Sequence, residues 1–118
     1  MPTKARVEIY GRGQYTGYHR KPRYLYLLRA GGSQWYKIGI ATHPDLRVEL
    51  LQAGNPYRLL ILGRWGPFGS ELALQLEREM HGRANAAASG WAAGGREWFR
   101  WTRRPRALLK TLGLEDGS

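Results

Sequence analysis

Residues 24–47, YLYLLRAGGSQWYKIGIATHPDLR, decide the fold. Tyr24 to Leu28 are all aromatic or apolar, bounded by Pro22 before and Gly31-Gly32 after. Trp35 to Ile40 forms a second such run, so the pair predicts a β-hairpin with a slightly long, Gly-rich loop. Thr42-His43-Pro44-Asp45 then reads as a helix start, with Pro44 near the first turn and Asp45 close behind it. Leu46, Leu50 and Leu51 share one face of that helix and are its expected core stripe. Arg47 sits beside the stripe, where it is available to a ligand.

Beyond this unit, Gly54 suits the position after a helix and Pro56 prevents continuation. Leu59 to Leu62 is a continuous apolar run, consistent with a buried strand beside the hairpin strands. Gly66-Pro67-Phe68-Gly69 predicts a turn, and Ser70 a cap for a helix reaching about Arg83. Leu72, Ala73, Leu76 and Met80 give that helix its core stripe. Residues 85–95, NAAASGWAAGG, read as a flexible loop, and Arg96 to Trp101 as a short aromatic strand or ordered turn. Pro105 to Leu112 predicts a last helix, docked through Leu108, Leu109 and Leu112 and stopped by Gly113. The fold class expected is α/β, with a small, mainly antiparallel three-stranded central sheet flanked by helices.

Composition narrows the function. The chain has 118 residues, enough for one small domain that buries roughly 65% of its extended-chain surface. Nineteen Lys and Arg against nine Asp and Glu give a formal charge of +10, which points to a polyanionic partner, nucleic acid first. Residues 1–23 form a basic arm carrying Arg12, Arg20, Lys21 and Arg23, with Tyr10, Tyr15 and Tyr18 between the charges. Such an arm suits a phosphate backbone, or else is an extension with no role. A short strand is expected over Val7 to Tyr10. With no cysteine, disulfides and thiolate metal sites are excluded, and three scattered histidines make no zinc cage. No apolar run approaches membrane-spanning length, and the N-terminus has no apolar signal region, so a cytoplasmic location is the default expectation.

The order of motifs from Tyr24 to Trp101 resembles the GIY-YIG endonuclease superfamily. Tyr24-Leu25-Tyr26 stands where the GIY triplet is expected and Lys37-Ile38-Gly39 where YIG is expected, with Arg47 eight residues after Gly39. Tyr36-Lys37-Ile38-Gly39, Gly54-Asn55-Pro56 and Glu97-Trp98-Phe99 are similar to a short phage and bacterial branch carrying YKIG, GNP and EWF. The resemblance implies a nuclease domain over 24–101, between the basic arm and a C-terminal helix and tail over 102–118. It implies metal-dependent hydrolysis of DNA phosphodiester bonds, with branched DNA or RNA as further substrates. The alternative is a non-catalytic nucleic-acid-binding module on the same fold.

Five candidate catalytic residues follow. The resemblance makes Glu77 the metal ligand, and an oxygen-dominated site with one carboxylate suits Mg²⁺ or Mn²⁺. Arg47 would offer a fixed guanidinium to the phosphate. Tyr26 is the GIY tyrosine; free Tyr titrates near ~10, and nearby Lys37, Arg47 and metal are expected to lower that value so that it accepts a proton from water or positions it. Lys37, in place of the second tyrosine, either contacts phosphate or lowers the Tyr26 pKa. His81 lies four residues after Glu77 on the same helix and is a base, a phosphate or metal contact, or a partner of the helix C-terminus. Glu97 pairs with Arg47 or Arg96, or adds a second acid near the metal. Asn85 is a weak stand-in for a late Asn that the family uses. Tyr24 and Trp98 join Arg12, Arg20, Lys21 and Arg23 as candidate nucleic-acid contacts; Trp98 either stacks on a base or closes the core instead.

Overall fold

In the computed structural model, residues 22–91 and 97–114 are described. The expected strand over Val7 to Tyr10, the arm residues Arg12, Arg20 and Lys21, and Arg96 fall outside them.

The hairpin forms as β1 (Arg23–Ala30) and β2 (Trp35–Ala41), paired antiparallel from Tyr24↔Ala41 to Arg29↔Tyr36. Its loop is held locally: the Ser33 N–H bonds the Ala30 carbonyl at 3.0 Å, and Arg29 Nε donates to the Ser33 carbonyl at 2.9 Å. Helix α1 (Pro44–Gln52) starts with Pro44 in its first turn and Asp45 behind it, and Gly54 takes the left-handed conformation after its end. Strand β3 (Leu59–Phe68) then pairs with the other side of β1. It runs well past Leu62, where a turn had been expected from Gly66. The chain stays extended because Phe68 pairs with Arg23 and is buried in the core.

Helix α2 (Ser70–Ala87) is four residues longer than the expected end at Arg83, since Asn85-Ala86-Ala87 continue it. Gly69, not Ser70, occupies its N-cap. Short strands β4 (Gly90–Trp91) and β5 (Trp98–Arg100) pair with each other, and β5 pairs with β2. Helix α3 (Pro105–Leu112) closes on Gly113 in the left-handed region. Among the described residues the sheet therefore has five strands, in the order β3-β1-β2-β5-β4. The three long ones are those expected; the extra two arise because Tyr36 and Phe99 pair across β2 and β5 and stack their rings in the core.

Alternation along the strands sorts the two faces of the sheet. Leu25, Leu27, Tyr36, Ile38, Trp65 and Phe99 join Ala73, Leu76, Met80 and Ala84 of α2 and Leu108 and Leu112 of α3 in one hydrophobic core. The 73/76/80/84 spacing is the helical stripe that the sequence shows. On the opposite face lie Tyr26, Lys37, Gly39 and Arg64, covered in part by α1.

That helix departs from expectation. Leu46 is 56% and Leu50 71% exposed, so of the predicted leucine stripe Leu51 alone turns inward. The inward face is Pro44, Val48, Leu51 and Gln52, all buried or half-buried. Gln52 decides this orientation: its amide donates to the Tyr57 carbonyl at 2.8 Å and accepts from the Leu59 N–H at 2.8 Å, tying α1 to the start of β3.

No helix among the described residues is long and apolar enough to cross a membrane.

Candidate active site

The site gathers at the edge of β2 beyond its pairing with β5. That pairing ends at Lys37↔Trp98. Past it, α1 approaches from one face and α2 from the other.

Tyr26 is opposite Gly39 on β2 and opposite Arg64 on β3. Its ring lies over Gly39, and a Cβ there would overlap the Tyr26 hydroxyl. The missing side chain is what lets the phenol lie across β2. There its hydroxyl comes under the Arg47 guanidinium of α1, whose hydrogen bonding and charge favour the phenolate. Burial pushes the Tyr26 pKa up; Arg47 opposes this through the hydrogen bond and its charge, while Glu77 and Glu97 add to it. The lowered pKa expected from the sequence is thus reversed, because only 1% of the residue is exposed and desolvation disfavours the phenolate.

Lys37 is not among the charges acting on Tyr26. It is 5% exposed, and its Nζ donates to Glu97 Oε1 at 2.9 Å. Glu97 is thereby held below the usual carboxylate range, first by the Lys37 hydrogen bond and its charge, then by Arg47 and His81. Of the partners weighed for Glu97 in the sequence, Arg96 falls outside the described residues and Arg47 does not take the ion pair. Lys37 takes it across 60 residues of chain.

His81 does not sit at a helix end, since α2 continues to Ala87. Its Nε2 lies 3.0 Å from the Ile38 carbonyl. A carbonyl only accepts, so Nε2 carries the proton and a neutral ring leaves Nδ1 as acceptor. Glu77 is half-buried and one turn before His81 on α2, and its charge acts on Tyr26. Tyr26, Lys37, Arg47, Glu77, His81 and Glu97 are thus linked by contacts or mutual electrostatics from β1, β2, α1, α2 and the chain just before β5.

Among the described residues there is no group of three or more His, Asp or Glu able to hold a metal by themselves. Glu77 offers one carboxylate, the ligand type a hard cation takes, and the remaining ligands of such an ion would have to come from elsewhere.

The other candidates lie around this centre. Tyr24 is half-buried and lines a cavity of ≈ 340 Å³ with Thr42, His43, Pro44, Asp45, Leu46 and Arg64. Arg23 is exposed at the start of β1, and Trp98 is half-buried in β5. Asn85 is occupied elsewhere, its Oδ1 accepting from Trp91 Nε1 at 2.9 Å. The sequence reading missed Arg64, which makes two bonds to Asp45 at 2.9 and 3.1 Å and holds that carboxyl below its ordinary pKa. Its place opposite Tyr26 depends on register shifts in the β1–β3 pairing, which no local pattern announces.

The chain is thus an α/β protein with a cluster of charged and phenolic side chains at a sheet edge. Compared with protein-family models, curated proteins and solved structures, it matches none.

Proposed function

We propose that this chain is a metal-dependent endonuclease of GIY-YIG type that hydrolyses phosphodiester bonds in DNA. The observation that carries the reading is the packing of the Tyr26 phenol over Gly39, where a Cβ would overlap its hydroxyl, with Arg47 and Glu77 both near enough to act on the same phenol. This convergence joins the first triplet, the second triplet, the helix Arg and the later helix Glu. These are the positions that the resemblance singles out.

In this reading Arg47, which is exposed, donates to the phosphate oxygens as charge builds on them. Tyr26, covered and neutral, is a positioning residue that aims the guanidinium. His81, with Nε2 committed to Ile38, keeps Nδ1 to take the proton of the attacking water. Glu77 would hold Mg²⁺ or Mn²⁺, which when bound polarises the phosphate and the water. The charge of +10 supplies the attraction to the strand.

A second reading, a nucleic-acid-binding module without catalysis, draws on Lys37. It stands where the second tyrosine is expected, and its ammonium is held by Glu97 instead of facing a phosphate.

Nicking of supercoiled plasmid by wild type and Glu77→Ala, with Mg²⁺, Mn²⁺ or EDTA, separates the two. Metal-dependent nicking that the variant lacks supports the nuclease. Salt-sensitive DNA binding by both proteins, with no nicking under any metal, gives the binding module.

A further inference from the structure

The Gly54-Asn55-Pro56 turn and the Trp98 side chain have no part in the chemistry above, yet they meet. Ala30, Trp35, Asn55, Pro56, Tyr57 and Trp98 line a cleft of ≈ 230 Å³. It is smaller than the ~300–1,000 Å³ of drug-sized ligand sites, which suits a single planar ring. Three of its walls are aromatic.

The cleft is built, not incidental. The Asn55 side chain accepts from the Tyr57 N–H at 2.9 Å, and Gln52 Nε2 donates to the Tyr57 carbonyl at 2.8 Å. The Gly31 N–H binds the neighbouring Arg58 carbonyl, so the turn is fixed to α1 at one end and to the hairpin at the other. Tyr57 nonetheless stays 48% exposed. An aromatic ring held by its backbone and left open to solvent is pre-organised for contact.

Its position selects the occupant. Trp35 and Lys37 are alternate residues of β2 and share a face, and Trp98 pairs directly with Lys37. Trp98 also follows Glu97, the partner of Lys37. The cleft therefore opens on the same sheet face as Tyr26 and Lys37. Arg58 follows Tyr57 and is exposed; Arg100, opposite Trp35, is exposed as well. Cations beside an aromatic slot complement a phosphate backbone whose base is turned in to stack.

We propose that this cleft receives one unpaired base of the bound strand, stacked against Tyr57 and Trp98, so that the substrate is DNA that is single-stranded or unpaired beside the cut. The proposal rests on the nuclease reading for the position of the cut, and on the face alone for binding. A base inside a duplex keeps its faces covered by its neighbours and cannot enter, so continuous duplex is the poorer ligand.

The test measures fluorescence anisotropy in EDTA, where binding is separated from cleavage. The probes are labelled oligothymidylate, an abasic strand of equal length, and a matched duplex. Wild type should prefer oligothymidylate to the abasic strand and to the duplex. Tyr57→Ala should weaken oligothymidylate binding on the order of tenfold, and Tyr57→Phe should stay within about twofold of wild type. Tyr57→Leu should behave as Tyr57→Ala, because leucine has no face to stack on. Tyr57 is exposed, so these variants fold, and the slope of affinity against salt should not change, because no phosphate contact is lost.

Equal binding of oligothymidylate by wild type and Tyr57→Ala overturns the cleft, as does an equal loss on the abasic strand. A wild-type affinity of Tyr57→Leu for oligothymidylate also overturns it, because a side chain with no face to stack on would then serve as well. If the cleft fails while plasmid nicking still depends on Glu77, the nuclease reading stands without it. Tyr57-dependent binding of oligothymidylate by a protein that cleaves nothing supports the cleft and removes only the nuclease.

Discussion

Tyr26 and Gly39 face each other across β1 and β2, with the phenol packed where a Gly39 Cβ would stand. The φ angle of Gly39 is not positive, so the glycine is required by space and not by backbone conformation. Gly39→Ala should destabilise the protein by about 1–3 kcal/mol, the usual cost of overpacking a filled site. In a Tyr26→Ala background the same change should cost little, since the obstructing ring is gone. Denaturant unfolding of the four proteins gives the coupling directly, and additive costs would disprove the contact.

Tyr26 should titrate above ~10, its ordinary value, because burial disfavours the phenolate. Arg47→Ala should move the titration further up, because Arg47 is a lowering influence. Glu77→Gln should move it down, because Glu77 is a raising one. The sign for stability follows from a folded pKa above the unfolded one. The contribution is fully present below ~10 and is lost as pH rises through the folded value. NMR titration of the tyrosine ring carbons, with Tyr26→Phe for assignment, checks all three directions. Tyr36, also raised by burial but acted on by Arg29, should ignore both substitutions.

The Lys37–Glu97 pair is asymmetric: the Lys37 side chain is covered and the Glu97 side chain is largely in water. Glu97→Gln leaves the ammonium with a weaker acceptor and should cost about 1 kcal/mol, discounted for the exposed partner. Because the Glu97 pKa is depressed, the pair's contribution is present above the unfolded value near ~4.3 and is lost as pH falls through the folded value. Wild type should therefore lose stability relative to Glu97→Gln on acidification below about pH 4.3. Urea midpoints of both proteins across that range should converge. A gap that stays constant with pH would show that the pair does not form.

Legibility in the sequence followed the range of the interaction. The hairpin, the Pro44 helix start and the Gly54 and Gly113 stops are set by neighbours in the chain and were readable there. So was the Ala73/Leu76/Met80 stripe, which one helical period produces. The Lys37–Glu97 bond was not, because it joins β2 to the residue before β5, and nothing local gives that register. Tyr26 was placed correctly in the strand but its pKa was given the wrong direction. Counting nearby cations ignored the burial that β3 and α1 impose.

Helix α1 is where the two kinds of information conflict. Its leucines at 46 and 50 form an apolar stripe by period, yet the helix is turned by Gln52 so that Val48 and Leu51 face inward. Leu46→Gln and Leu50→Gln should each change stability by no more than about 0.5 kcal/mol, as for surface positions generally. Leu76→Ala, in the core stripe of α2, should cost about 2–5 kcal/mol. Gln52→Ala should cost about 1–2 kcal/mol despite its polar side chain, since it strands the Leu59 N–H and frees the turn that carries Tyr57. Denaturant midpoints for the four variants rank these costs. If Leu50→Gln proved as costly as Leu76→Ala, α1 would be packing by its leucines, and Arg47 would then no longer face Tyr26.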